Sequence, residues 1–296
     1  MRNLFYGGVT MKPTKLRRAI FAGSWYPASA AECEKEIAGF LDEGKNMDLP
    51  AGKRVGGIVP HAGWFFSGSI ACNVIRCLKT DDPPDVFIVF GMHLHPDSDC
   101  IMMAEGAWET PFGEIIVEEQ LAAELTKRFS FTLETPDSFS QDNTIELQLP
   151  FIKYFFNDVK MVAMGVPPAK SSLEIGRAVV EIAKNLQMQI KVIGSTDLTH
   201  YGRNYGFVSE GTGPQAVDWV RNLNDRRIID TMLEMDTEKV IDEALASQNA
   251  CCAGAAATAI EAAKHLGAGQ PESIAYATSY DKSPGDSFVG YVGIVL

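Results

Sequence analysis

The chain contains no Cys-x-x-Cys pair, no excess of basic residues, no long apolar run and no low-complexity linker. Each absence removes a class of protein. The six cysteines, Cys33, Cys72, Cys77, Cys100, Cys251 and Cys252, do not form a disulfide framework in a chain of 296 residues. A reducing, cytoplasmic setting is the expectation. Acidic residues outnumber basic ones, 38 to 26, for a formal charge of −12, which argues against a nucleic-acid partner. The one dense basic stretch, residues 12–18, reads as a solvated arm. No apolar run approaches the roughly 18 residues that a membrane span requires. The N-terminus lacks the apolar core of a signal peptide, and Met11 is a plausible alternative start. Residues 1–17 are expected to be a flexible extension and 18–296 one domain.

What is present is a sizeable apolar fraction, 46%, with 22% charged residues, as in a soluble globular protein. Short β-rich runs at 54–59, 86–90, 159–164 and 190–194 carry apolar residues in succession, which suits strands covered on both faces. Helical patterns at 69–78, 117–129, 145–156 and 172–185 alternate with them, implying parallel strands and crossover helices. Residues 214–266 read as three successive helices, and the tail returns to strands at 273–279 and 287–295. The expected architecture is a three-layer α/β/α fold with a mostly parallel central sheet.

Histidine is scarce, five in all, and three stand where buried strands end. His61 follows the first run, His93 the second, and His200 the fourth. Ligands of open α/β sheets bind beyond the carboxyl ends of the strands, and imidazole is the commonest metal ligand. A histidine hydrogen-bonded in a turn is the plainer reading of each alone. His95 lies two residues beyond His93, so in extended chain both would face the same way. Asp197 and His200, three apart, would share a face on a helical turn; Asp197 could equally be an N-cap. Cys251 and Cys252 head an Ala-rich helix, where a thiol is acidified, although buried cysteine is usually inert. Thr144 reads as the N-cap of the next helix, and Glu146 as a first-turn carboxylate. Trp25, Tyr26, Trp64, Phe65 and Tyr201 could line a groove, though aromatics beside strand ends are more often core.

In order along the chain, Ala22-Gly23-Ser24-Trp25-Tyr26-Pro27, Pro60-His61-Ala62-Gly63, Thr110-Pro111-Phe112-Gly113, Asn143-Thr144-Ile145-Glu146 with Leu149-Pro150, and Asp197-Leu198-Thr199-His200-Tyr201-Gly202 resemble the Memo family, whose bacterial members are often called AmmeMemoRadiSam system protein B. The closing residues 286–291 fit as well. The resemblance implies a fold similar to class III extradiol dioxygenases, which carry non-heme iron. It implies a pocket of histidines, a cysteine and an aspartate, with iron or copper binding attributed to it; zinc would also suit such donors. Carried over, His61, His200 and Asp197 match directly. Cys252 matches the pocket cysteine because it stands three after Asn249, although the glycine that usually follows is Ala253, with Gly254 one later.

At the second strand end the family commonly reads Gly-Pro-Ser-His-His. Without a gap this places Leu94 and His95 at the two histidines, and a one-residue gap restores His93. The family's Glu-His-Ser-Ile-Glu appears here as Asp142-Asn143-Thr144-Ile145-Glu146. Asn143 thus replaces a histidine that could act as general base in the related dioxygenases. The resemblance implies either a metal-dependent oxidoreductase, with His61, His200, Asp197 and Cys252 at its centre, or a non-catalytic module binding a metal, a small molecule or a peptide. An accessory role to a radical SAM protein is implied only by the family's gene-cluster name.

Overall fold

The computed structural model describes residues 15–47, 49, 52, 54–80 and 82–296. The first element is the short strand β1 (Leu16–Arg17), which pairs in parallel with β5 (Ala107–Thr110); β5 pairs in turn with β6 (Gly113–Ile116) in a three-stranded sheet. Residues 16 and 17 are thus already part of a sheet. Arg17 is not part of a solvated arm. It is buried, stacked between the Trp108 and Phe139 rings, and paired with Glu134 at 2.6 Å. A guanidinium can bury its flat faces on aromatic rings while its edge keeps a carboxylate. Residues 1–14, including Met11, lie outside the described residues.

The larger sheet is nine-stranded. Its centre is four parallel strands in the order β2 (Gly56–Val59), β9 (Ile190–Ser195), β3 (Val86–Gly91), β8 (Lys160–Gly165). β2, β9 and β3 are buried along their whole length, which explains their unbroken apolar sequences. The flanks are mixed. β12 (Ser287–Val295) runs antiparallel to β2 and carries β10 (His200–Gly202) and β11 (Glu272–Thr278), both antiparallel to it. On the other side β4 (Ile101–Met103) runs antiparallel to β8 and parallel to β7 (Thr132–Glu134).

Helices α1 (Ala30–Glu43), α2 (Trp64–Cys77) and α5 (Leu149–Phe155) group on one face, with α2 against β2 and β12. Helix α10 (Ala253–Leu266) packs on the other, against β9 and β3, with α6 (Ser172–Asn185) and α9 (Thr237–Ser247) beside it and α3 (Glu119–Arg128) next to α6. This is the three-layer α/β/α arrangement, parallel at its centre. The helical stretch 214–266 resolves into α7 (Pro214–Trp219) continued through a π-turn into α8 (Asp225–Leu233), then α9 and α10.

One expected helix is interrupted. Residues 145–156 divide into α4 (Asn143–Glu146) and α5, with Leu147 and Gln148 between them and Pro150 in the first turn of α5. The cap of α4 is Asp142, whose carboxylate accepts from Thr144 N at 2.9 Å, and not Thr144. Thr144 instead accepts a hydrogen bond from Met92 N at 2.7 Å, tying α4 to the end of β3. The approach is close: a Cβ on Gly91 would stand 2.4 Å from Thr144 Oγ1.

Glu146 does more than face a helix dipole. Buried, it accepts from Ile20 N, Phe21 N and Tyr26 OH at 3.1, 2.8 and 3.0 Å. One carboxylate thus anchors the segment that carries Trp25 to the mouth of the sheet. Replacing Glu146 by alanine strands three donors. At about 1–3 kcal/mol for each buried group left unpaired, less what water recovers, a loss of about 3 kcal/mol in unfolding free energy is expected. Urea denaturation measures it, and a change under 1 kcal/mol would contradict the anchoring role.

Candidate metal centre

Adjacent strands deliver the site. Beyond β2 comes Pro60-His61, beyond β9 Thr196-Asp197, and beyond β3 Met92-His93, so three neighbouring carboxyl ends supply three side chains to one place. The turn after β3 is forced by Met92, which adopts φ 70°, a left-handed conformation that costs a non-glycine residue about 1–2 kcal/mol. Its amide bond to Thr144 and the bond from His93 N to Asp142 Oδ2, 3.1 Å, hold that turn.

The same turn decides between the two histidines. His93 faces the cluster, with its ring centroid 5.0 Å from that of His61. His95 points outward, its side chain 76% exposed and Nδ1 3.6 Å from Asp97 Oδ2. The two-residue alternation that would put both on one face requires extended backbone, and the left-handed Met92 and the turn at Pro96 remove it.

Both inward histidines are held in one orientation. Ser195 Oγ donates to Thr144 O at 2.7 Å, which leaves the hydroxyl to accept from His61 Nδ1–H at 3.1 Å. Asp142 Oδ2 stands 2.9 Å from His93 Nδ1, and a carboxylate only accepts, so His93 also carries its proton on Nδ1. Each ring therefore turns Nε2 toward the centre. Burial works against ionising Asp142, but the hydrogen bonds from His93 and Thr144 outweigh it and hold the carboxyl well below the usual range. Such outer partners typically contribute 10–100-fold to metal affinity. Asp142→Ala is expected to weaken metal binding by about that factor and Asp142→Asn by less, because the amide oxygen still accepts from Nδ1. Competition against a chromophoric chelator reads the difference; unchanged affinity in Asp142→Ala would contradict this orienting role.

Asp197 and His200 do not share a helical turn. Residues 196–199 run without helix from β9 to β10, and Asp197 caps nothing. Its Oδ1 accepts from His61 N at 2.7 Å, while Oδ2 lies 3.9 Å from His61 Nε2 and 4.0 Å from His200 Nε2. His200 Nε2 is buried without a hydrogen-bond partner among the described residues. Asn143 lies at the same wall, donating to His61 O at 2.8 Å.

The sulfur nearest the imidazoles belongs to Cys251. Its Sγ is 3.3 Å from His61 Nε2, and Cys252 Sγ lies 3.7 Å behind it. Cys252 is the N-cap residue of α10, with its amide donating to Thr196 Oγ1 at 3.1 Å. The spacing from Asn249 points to Cys252; Cys251 Sγ lies nearer the imidazoles, and Cys252 Sγ belongs to the same group. A Cβ on Gly254 would stand 2.3 Å from Pro167 O, so this helix end is pressed against the turn after β8. Burial disfavours a thiolate on Cys251, but the Cys252 thiol and the His61 ring more than compensate, and its pKa falls well below the ordinary value. Burial and the neighbouring sulfur push Cys252 the other way. One ligand atom each from His61, His93, Cys251 and Cys252 lie within 4.8 Å of one another. That group, with the unpartnered Nε2 of His200 beside it, fits a transition metal.

Above the centre opens a cleft of roughly 600 Å³, lined by His61, His93, Asn143, Asp197 and His200 and walled by Trp25, Phe65, Phe66 and Tyr205. Of the aromatics expected to line a groove, Trp25 and Phe65 do; Tyr26, Trp64 and Tyr201 are buried in the core. A smaller hollow of about 360 Å³ reaches Cys251 from the other side of His200 and Tyr205. A hollow of about 730 Å³ lies at the opposite ends of β3 and β8, far from every one of these donors.

The fold and this strand-end site define a three-layer α/β/α protein with a His/Cys group that could hold a metal. The family model for Memo-like proteins matches residues 17–295, and the chain belongs to the Memo family. A MEMO1 family protein of Pyrococcus furiosus is 33% identical over 293 residues, covering 95% of this chain and 99% of that one. Another, of Pyrococcus horikoshii, is 32% identical and covers 93% and 97%. The crystal structure of an uncharacterized protein of Escherichia coli K12 superposes with a TM-score of 0.55 over 82% of this chain and all of that one; at 10% identity it speaks for the fold alone. No helix among the described residues is long and apolar enough to cross a membrane.

Proposed function

We propose that this protein binds iron(II) or copper at the floor of the cleft and carries out redox chemistry on a small molecule or peptide end held above it. The observation that carries the reading is the convergence of His61, His93, Cys251 and Cys252 within 4.8 Å, with both histidines oriented from behind. His61 Nε2, His93 Nε2 and Cys251 Sγ would hold the ion. When bound, it would supply open coordination positions and one-electron chemistry. The residues around it have separate tasks. Asp197 holds the His61 backbone and faces His200, so His200 Nε2 is the atom at which a proton can be held or released beside the cleft. Asn143 fixes the wall and carries no titratable proton. Trp25, Phe65 and Phe66 offer apolar faces to a ligand.

The aromatic wall also favours a second reading, in which the cleft recognises a peptide end and the metal only shapes it. Metal analysis of anaerobically purified protein, with oxygen consumption followed after adding reductant, separates the two. About one ion per chain with turnover lost in His61→Ala supports the redox reading. One ion without turnover favours recognition, and no retention of iron, copper or zinc contradicts both.

A further inference from the structure

Part of the cleft wall has no role in holding an ion. Besides the aromatic faces, the lining includes Ser279, Ser283, Ser287 and Tyr291, all from the end of the chain that forms β12 and the turn before it. What each hydroxyl oxygen already accepts decides where its proton can go. Ser287 Oγ accepts from Asn204 N at 3.1 Å, and its own proton has no acceptor among the described residues. Ser279 Oγ accepts from Val289 N at 3.0 Å and meets the Tyr291 phenol, so that pair keeps one proton for a ligand. Burial, and then the charge of Asp197, push the Tyr291 pKa up, and the phenol stays protonated. Ser283 Oγ has no hydrogen-bond partner among the described residues.

The charges beside these donors are sorted in the same sense. Asp281 is occupied elsewhere: it accepts from Thr278 N at 2.7 Å and Thr278 Oγ1 at 3.1 Å, and pairs with Arg221. Lys282 stands at the rim of the cleft, its Nζ donating to Phe65 O at 2.6 Å and lying 5.4 Å from the centre of the Phe65 ring. An ammonium has three donors, so two remain. Among the lining residues the one carboxylate is Asp197, whose Oδ1 accepts from His61 N. A wall of donors without acceptors is matched by an anion with several lone pairs. A carboxylate is such a group, and hydrogen bonds to it are roughly twice as strong as those to a neutral acceptor. Aromatic faces suit a flat apolar body.

We infer that Ser283, Ser287 and the Ser279–Tyr291 pair, with Lys282 at the rim, form a subsite for the carboxylate of a ligand whose flat apolar body lies along Trp25 and Phe65. The inference rests on the cleft being the ligand side of the proposed site, and it gives that site a substrate class, organic acids. The carboxylate of a small acid and that of a peptide's last residue share this chemistry.

The probes are phenylacetate and N-acetylphenylalanine, each compared with its own primary amide. Binding to the metal-free protein is read by ligand-detected NMR, so that no acid can bind by coordinating an ion, and failure of the metal reading leaves this test intact. Wild type is expected to bind at least one acid about tenfold more tightly than its amide; the tighter of the two acids names the source. Ser287→Ala and Ser283→Ala are each expected to cut that preference at least about threefold while the affinity for the amide holds. Ser283→Ala removes a hydroxyl that carries no internal hydrogen bond, so it remains readable if Ser287→Ala disturbs Asn204. Equal binding of acid and amide in both pairs would overturn the inference. A preference unchanged in both serine variants would also overturn it, because the anion would then be held at the floor of the cleft and not at this wall.

Discussion

Cys251→Ser is expected to lose more than 100-fold in metal affinity while the metal-free protein unfolds within about 1 kcal/mol of wild type. The sulfur stands 3.3 Å from His61 Nε2, partly open to the hollow beside His200, and its thiolate is favoured by the groups around it. A serine hydroxyl occupies the same space but does not ionise there, so the site loses both an anionic ligand and its soft donor. The outer partner Asp142 is worth about 10–100-fold, and a direct ligand exceeds it. The fold is spared because the backbone bond from Cys251 to Asp197 O does not involve the side chain. Chelator competition and urea unfolding on the same preparation read both quantities. Affinity within threefold of wild type would remove Cys251 from the centre.

The second large effect is an absence. Iron-loaded protein is expected to cleave simple catechols at least 100-fold more slowly than an extradiol enzyme that has its general base. Base catalysis contributes about 10²–10⁴-fold, and the position where related enzymes could supply it is Asn143. Its amide donates to His61 O, so it serves the wall of the site and cannot accept a substrate proton. Oxygen-electrode traces with protocatechuate-like substrates test this. Fast turnover abolished by His200→Ala would show that His200 fills the missing role.

The strand ends were legible because fully buried parallel strands read as apolar runs, and the residue after such a run stands at the mouth of the sheet. That logic points to His61, His93 and His200; the first two stand directly at their strand ends, and His200 begins β10, beyond the end of β9. The spacing of three between Asp197 and His200 implies a helical turn that the structure does not contain. The chain instead runs from β9 into β10 without helix, and the two side chains approach across that bend. His95 is a candidate by two-residue alternation and by the ungapped resemblance; both assume an unturned backbone, and no residue pattern announces a left-handed methionine. Cys251 and Cys252 differ by one position at a helix start, where boundaries are least defined by sequence. Helix α1 and the short strands β4 to β7 were not anticipated. Strands of three or four residues have too little alternation to register, and α1 has only Cys33, Ile37 and Phe40 fully buried. The hydrogen bonds of Ser195, Thr144, Asp142 and Glu146 depend on contacts between distant segments, which no local pattern encodes.

The account stands on a single ion at the ends of β2 and β3, and anomalous diffraction from metal-soaked crystals, recorded on both sides of the absorption edge, tests it most directly. The predicted result is one strong peak per chain, about 2.0–2.3 Å from His61 Nε2, His93 Nε2 and Cys251 Sγ. A peak coordinated elsewhere, or no peak at this position in protein that binds the metal in solution, would contradict it.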